Sequence, residues 1–226
     1  MTGPAALYDP HADWYDEYVT AGGAREYSVR VADMIKDLLS SPKTHDARCL
    51  DVCCGTGVRA ITISDLGWHP IGVDLSTGQL RHAANRLPVA AGDANALPIR
   101  TRSVDAAVCV LGHTDVENYG AVVRDIARTL KPGGVFVHIG IHPCFCGYFA
   151  DWSDRSRVVL TPGYNQAVHS FEAWSPHGVR ARIGAWHLPL AGLVDAILAA
   201  GLSISRLTEI GPDELPDLLG IAATRT

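Results

Sequence analysis

The feature that most constrains this chain is Cys49-Leu-Asp-Val-Cys-Cys-Gly-Thr-Gly57, an apolar run into a glycine-bracketed turn, followed at once by residues at helical spacing. A short apolar run with no alternation suits a strand buried on both faces, as in parallel sheets. Glycines at the turn let the backbone approach a ligand, and the helix that follows offers free N–H groups at its N-terminus. A second strand signal, Ile71-Gly-Val-Asp74, ends in a carboxylate 19 residues beyond Gly55. That is near the spacing of about 20 at which an acid reaches ribose hydroxyls. One strand–turn–helix–strand unit thus implies an α/β sheet with a nucleoside site at the carboxyl ends of its strands.

The same rhythm continues along the chain. Strands are predicted over 48–52, 70–74, 87–91, 104–111 and 134–141, with helices over 57–66, 76–86 and 116–130 between them and Ser76 and Asp115 as N-caps. A helix over 28–39, ended by Pro42, and a short one over 12–19 precede the sheet. After Ile141 the pattern breaks. Residues 142–186 are rich in Pro, Gly, His and aromatics, then a helix over 188–200 and two further strands close the chain. With 226 residues, one domain over 1–226 is expected, built as helices over 1–45, a ligand-binding core over 46–141, an irregular lid over 142–186 and a closing helix and hairpin over 187–226.

Read strictly, Gly55-Thr-Gly57-Val-Arg-Ala60 also satisfies the dinucleotide pattern. Asp51 argues against a dinucleotide. A carboxylate at the mouth of this turn would repel a pyrophosphate and attract the cationic α-amino group of a bound amino acid. A ligand with an amino-acid tail for Asp51 and a ribose diol for Asp74 meets both requirements: S-adenosylmethionine does, and NAD meets only one.

LDVCCGTG, GVDLS, GDANALPI, SVDAAVCVLGH and LKPGG, in that order, resemble the motifs of the class I S-adenosylmethionine-dependent methyltransferases, over roughly residues 28–141. Within that class the chain is most similar to the small enzymes of the menaquinone and ubiquinone biosynthesis type. The resemblance implies a doubly wound, mostly parallel seven-stranded sheet with an antiparallel last strand and a lid after the fifth strand. It implies S-adenosyl-L-methionine as cofactor, with Asp51, Gly55, Thr56 and Gly57 at the methionine end, Asp74 at the ribose, Leu75 on one adenine face and Asp93 with Ala94 at the adenine edge. Leu111 would pass beneath the methionine backbone, and Tyr15 resembles tyrosines that close over the cofactor, with packing on its own helix as the alternative. Cys53 and Cys54 depart from the family's usual residues and read as small buried hydrophobes.

Methyl transfer from a sulfonium asks the protein to align donor and acceptor, exclude water and, for hydroxyl acceptors, take a proton. His113, at the carboxyl end of the fourth strand, stands where open α/β sheets place ligands; it is either a base or an orienting group for the helix near Asp115. His187, in Ala-Trp-His-Leu-Pro-Leu, resembles a polar position directed into the acceptor pocket of related enzymes. His142, directly after the fifth strand, is a third candidate for the reacting end; it also begins a His-x-Cys-x-Cys string, but zinc sites usually separate paired cysteines by two or more residues, so no metal is expected. His138 reads as a satisfied core histidine. Eight of the sixteen aromatics (Phe145, Tyr148, Phe149, Trp152, Tyr164, Phe171, Trp174 and Trp186) lie in the irregular segment and five (Tyr8, Trp14, Tyr15, Tyr18 and Tyr27) precede the first strand. The two segments either form the acceptor pocket or roof the sheet.

Composition bounds the partners. Lys and Arg number 19 against 24 Asp and Glu, with no basic stripe for a phosphate backbone, so no nucleic acid is expected. The N-terminus lacks a basic region and an apolar core, and no apolar run nears bilayer-spanning length, so no membrane is expected and the chain reads as cytoplasmic with reduced thiols. The expected partner is a small-molecule methyl acceptor, met by a monomer or homodimer. Two other functions compete: a cyclisation or rearrangement that uses S-adenosylmethionine structurally, and a non-catalytic binding subunit.

Overall fold

The computed structural model describes residues 6–21, 24–154, 156–173, 178–212 and 214–226. Helices α1 (Ala12–Thr20) and α2 (Arg25–Leu38) come first. Strand and helix then alternate through β1 (Arg48–Val52), α3 (Ala60–Asp65), β2 (His69–Asp74), α4 (Thr77–Ala83), β3 (Val89–Ala91), β4 (Val104–Val110), α5 (Tyr119–Thr129) and β5 (Leu130–Ile141). Beyond β5 come only the two-residue strands β6 (Ala150–Asp151), β7 (Val159–Leu160) and β8 (His169–Ser170), helix α6 (Val179–Ile183) and β9 (Ala185–Trp186). Helix α7 (Leu190–Ala199) and strands β10 (Leu202–Ile210) and β11 (Leu218–Arg225) close the chain. Of the aromatics expected around the acceptor, Trp174 lies outside the described residues.

Seven strands form one sheet in the order β10-β11-β5-β4-β1-β2-β3. Strands β1 to β5 pair in parallel, and β11 is antiparallel to both of its neighbours. This is the doubly wound architecture expected, with the strand order reversing beside β1 and β4, where such sheets hold ligands. The central strands owe their place to composition: four of the five residues of β1 are buried, because both sheet faces are covered. Helix α5 covers one face with Tyr119, Val122, Val123 and Ile126, spaced three and four apart, against Leu50, Ala107 and Phe136. Helix α2 covers the other with Val31, Met34, Ile35 and Leu38. Phe136 is wholly buried, and truncating such a ring to alanine costs roughly 3–5 kcal/mol.

Several boundaries differ from the sequence-based expectation, and three of the differences have a local cause. The helix expected from residue 116 starts at Tyr119, because the Asn118 side chain accepts from the Ala121 N–H at 3.1 Å, while Asp115 accepts from the Tyr8 hydroxyl at 3.1 Å instead of capping a helix. Strand β3 is shortened to Val89–Ala91, since Pro88 has no N–H to give, although its carbonyl accepts from Gly72 at 2.9 Å. Strand β5 begins earlier than expected, at Leu130, and absorbs the LKPGG turn as a register shift against β4. Ser76 caps α4 as expected, accepting from the Gln79 N–H at 3.1 Å.

The N-terminal helices are tied over the carboxyl ends of the strands. Asp9 accepts from the Ser76 hydroxyl at 2.6 Å and the Gly78 N–H at 2.9 Å, and Arg86 donates to Asp16 at 2.6 Å. No helix among the described residues is long and apolar enough to cross a membrane.

Candidate functional site

Two cavities open at the carboxyl ends of the parallel strands, one at β1 and β4 and one at β4 and β5. The first is lined by Tyr15, Asp51, Cys53, Cys54, Gly55, Thr56, Val58, Arg59, Val110 and Leu111. Its floor depends on unusual backbone: Gly55 and Gly57 have φ of +55° and +75°, and any Cβ would lie 2.6 Å from Gln79 Oε1 at Gly55 and 2.6 Å from Leu87 at Gly57. Only glycine serves at both positions. Cys53 (φ 57°) and Leu111 (φ 65°) also take the left-handed conformation, which costs a non-glycine residue about 1 kcal/mol or more and clusters at ligand sites.

Asp51 is the chemical anomaly of this cavity. It is 1% exposed, Oδ2 has no hydrogen-bond partner among the described residues, and no ion pair neutralises it. Burial pushes its carboxyl up to about 7, with Arg59 opposing and Asp74 adding to the rise. A shielded carboxylate without a donor is costly unless a ligand supplies one. Arg59, on the same wall, is itself drawn below its ordinary value by burial and, among the described residues, donates only to the Ser28 carbonyl, at 3.3 Å. One cavity therefore presents an anion and a cation that do not pair with each other, complementary to the two charges of an amino-acid tail.

Asp74 lies at the end of β2 and accepts from the N–H groups of Gly55 and Ser76, each at 2.8 Å. It both holds the turn and keeps lone pairs for a ligand hydroxyl. Leu75 beside it is 38% exposed. Asp93 accepts from both nitrogens of Asn95, at 2.8 and 2.9 Å, and Ala94 is buried in the sheet core. Both the capping and the ligand readings of these acids are therefore compatible with the fold.

The second cavity is lined by His113, Thr114, Ile141, Pro143, Cys146, Arg180, Trp186, His187 and Leu188. His113 and His187 thus meet, although 74 residues of sequence separate them. Burial first, then the charges of Arg180 and His187, push His113 down to about 3, so it is neutral at physiological pH and its shielded Nδ1 has no partner. His187 Nε2 donates to the Tyr164 carbonyl at 2.7 Å, which assigns the proton to Nε2 and leaves Nδ1 as the free base. Burial draws His187 below its ordinary value, the Tyr164 carbonyl opposing and Arg180 adding to the fall. Phe149 and Tyr164 hold the imidazole edge-on, with ring centroids at 4.9 and 5.5 Å.

His142 is not brought to this cavity. Its Nε2 lies 2.6 Å from Glu209 and its Nδ1 accepts from the Cys144 N–H at 3.1 Å, so both nitrogens are engaged in joining the lid to β10. The expectation that His142 acts on the acceptor is corrected on that ground. Among the described residues no three His, Cys, Asp or Glu side chains gather as a metal site would require. His138 is half satisfied rather than fully so: Nδ1 meets the Tyr119 hydroxyl at 2.8 Å, while Nε2 has no partner. Arg59 and Arg180 were missed by sequence reading. The only hint for Arg59 is its place just after the glycine turn, and Arg180 belongs to no motif.

Residues 49–134 match the family described as Methyltransferase domain. The chain is 31% identical over 148 residues to a demethylmenaquinone methyltransferase of Renibacterium salmoninarum, 62% of this chain and 60% of that protein. It therefore spans about three fifths of the length of that relative. It is 34% identical over 181 residues to the dTDP-3-amino-3,4,6-trideoxy-alpha-D-glucopyranose N,N-dimethyltransferase of Streptomyces venezuelae, 76% of this chain and 74% of that one. In fold it is similar to an S-adenosylmethionine-dependent methyltransferase from Mesorhizobium loti, with a TM-score of 0.70 at 20% identity over 90% of this chain and 99% of the other. With this sheet and these relatives, the chain is a member of the class I S-adenosylmethionine-dependent methyltransferases.

Proposed function

We propose that the chain transfers a methyl group from S-adenosylmethionine to a small organic acceptor bound in the cavity of His113 and His187. The observation that carries this reading is the orphaned carboxylate of Asp51, on a sheet whose strand ends also carry a cavity where the shielded His113 Nδ1 has no partner among the described residues. When bound, S-adenosylmethionine supplies an electrophilic methyl group on a sulfonium.

The chain's own residues do the rest. Asp51 would hold the α-ammonium and Arg59 the α-carboxylate, so that the two buried charges are neutralised by the ligand. Asp74 would accept from the ribose hydroxyls, Leu75 and Ala94 would flank the adenine, and Asp93 would meet its edge. Tyr15, Gly55, Thr56 and Leu111, which line the cavity, would shape the methionine end by contact, with Gly57 holding the turn behind them. In the acceptor cavity Ile141, Pro143, Trp186 and Leu188 would hold the apolar part of an acceptor and so align it. His187 Nδ1 takes the proton that an O–H or N–H acceptor releases, while His113, neutral and sterically fixed, positions the acceptor. The curated relatives include one named for N,N-dimethylation of an amino sugar nucleotide and others named for demethylmenaquinone, so amines and quinone-type acceptors are both within the reading.

The test is a screen of amines, phenols and quinols with methyl-labelled S-adenosylmethionine, read by formation of S-adenosylhomocysteine. Stoichiometric S-adenosylhomocysteine with labelled product supports methyl transfer. An acceptor converted without S-adenosylhomocysteine would instead mark a cyclisation or rearrangement on the same fold, since fold alone does not fix chemistry.

A further inference from the structure

The acceptor cavity contains a cation for which the chain supplies no counter-charge. Arg180, on α6, lines it beside His113, Cys146 and His187, and no carboxylate is among the lining residues. Burial lowers the guanidinium below its ordinary value, and the group offsetting this is the Cys146 thiol, itself held neutral by burial. Three other arginines with reduced exposure are paired, whereas Arg59, in the cavity of Asp51, shares the unpaired condition. Arg30 meets Asp217 at 2.5 Å, Arg86 meets Asp16 at 2.6 Å and Arg128 meets Asp125 at 2.6 Å. Arg182, two residues further along α6, stacks 4.3 Å from the Trp14 ring centroid. Among the described residues Arg180 has neither an ion pair nor an aromatic face.

A guanidinium left in that condition is costly unless a ligand completes it. Its planar fork matches a carboxylate or phosphate in two parallel hydrogen bonds. The cofactor's own carboxylate does not meet the need, because Arg59 serves the other cavity beside Asp51. We propose that Arg180 recognises an oxyanion, a carboxylate or a phosphate, carried by the methyl acceptor, and so selects anionic acceptors. This rests on the methyl-transfer reading above. Pairing has a second effect. Arg180 lowers both histidines, so an anion that neutralises it raises His187 toward a more effective base only when the correct acceptor is bound.

The experiment uses the full chain saturated with S-adenosylhomocysteine and titrates benzoate, phenyl phosphate and the neutral benzamide, following histidine ring-proton shifts by NMR. At least one anion should bind about tenfold or more tightly than benzamide, a difference set by one charge-assisted pair. Arg180→Gln should erase that preference while leaving S-adenosylhomocysteine affinity within about twofold, and Arg180→Lys should keep part of it. Benzoate against phenyl phosphate separates carboxylate from phosphate. Equal binding of benzamide and both anions, no anion binding, or a preference that survives in Arg180→Gln would overturn the proposal. So would equal losses of anion and cofactor affinity in both variants, which would place Arg180 in the cofactor site or in folding. Failure of the wild type to bind S-adenosylhomocysteine would sink the methyl-transfer reading instead, before any anion is added.

Discussion

At the Asp51 end the side chains stand on two neighbouring parallel strands, whose pairing of Asp51 with Val108 and Val52 with Cys109 sets their positions. At the His187 end only His113 and Thr114 come from the turn after β4; the other lining residues lie between 141 and 188, where strands are two residues long and a small cluster of Cys146, Phe149, Ala150 and Trp152 supplies the packing. The first end is defined by backbone register and turn chemistry, the second by which side chains fill a lid. Cofactor recognition and acceptor recognition should therefore separate under mutation, and each substitution below tests whether they do.

The largest effect is expected from His187→Gln, which removes the free Nδ1. Turnover with an O–H acceptor should fall by roughly 10²–10⁴, while S-adenosylhomocysteine affinity stays within about twofold. A matching loss of cofactor affinity would mean that the two ends are not independent. Asp51→Asn reverses the pattern: S-adenosylhomocysteine should bind roughly 10–100-fold more weakly, measured by calorimetry. The same variant should be more stable than the wild type without ligand. Because the folded carboxyl of Asp51 lies at about 7, above its ordinary value, its contribution to stability is complete at low pH and is lost as pH rises through about 7. Asparagine cannot ionise, so at pH 8 its advantage should reach up to about 4 kcal/mol by thermal unfolding.

Phe149→Ala sharpens the comparison from the lid side. Its ring meets Tyr148, Tyr164 and His187 edge-on at 5.7, 5.6 and 4.9 Å, and its loss should loosen the lid by about 3 kcal/mol. Acceptor KM should rise while cofactor affinity is unchanged. The pH dependence of cofactor binding gives a smaller, signed effect. The ligand's ammonium needs ionised Asp51, so affinity should be level above about pH 7 and weaken as pH falls below it. A flat profile from pH 5.5 to 8 would place the ammonium elsewhere. Ser76→Ala should be the mildest, costing about 1 kcal/mol through the lost cap on α4.

The contrast also explains what could be read from sequence. Strands β1, β2 and β4 and the glycine turn were legible to within a residue or so, because continuous apolar runs, positive-φ glycines and a terminal acid leave few alternatives. The meeting of His113 with His187 was foreseen only as two separate possibilities, since no local pattern carries a contact across 74 residues. His142 was misjudged because its partner, Glu209, comes from a distant strand. Arg180 was invisible because its significance lies in what does not surround it, and Asp115 was displaced as a cap because Tyr8 reaches it from the N-terminal segment.

The most direct test of the account is calorimetric titration of the purified chain with S-adenosylmethionine, S-adenosylhomocysteine and NAD, repeated on Asp51→Asn. The account predicts binding of both adenosyl ligands at about micromolar Kd, loss of at least about tenfold in the variant, and no binding of NAD. Absence of adenosyl binding, or a preference for NAD that Asp51→Asn leaves intact, would contradict the assignment of the buried carboxylate and the methyl-transfer reading built on it.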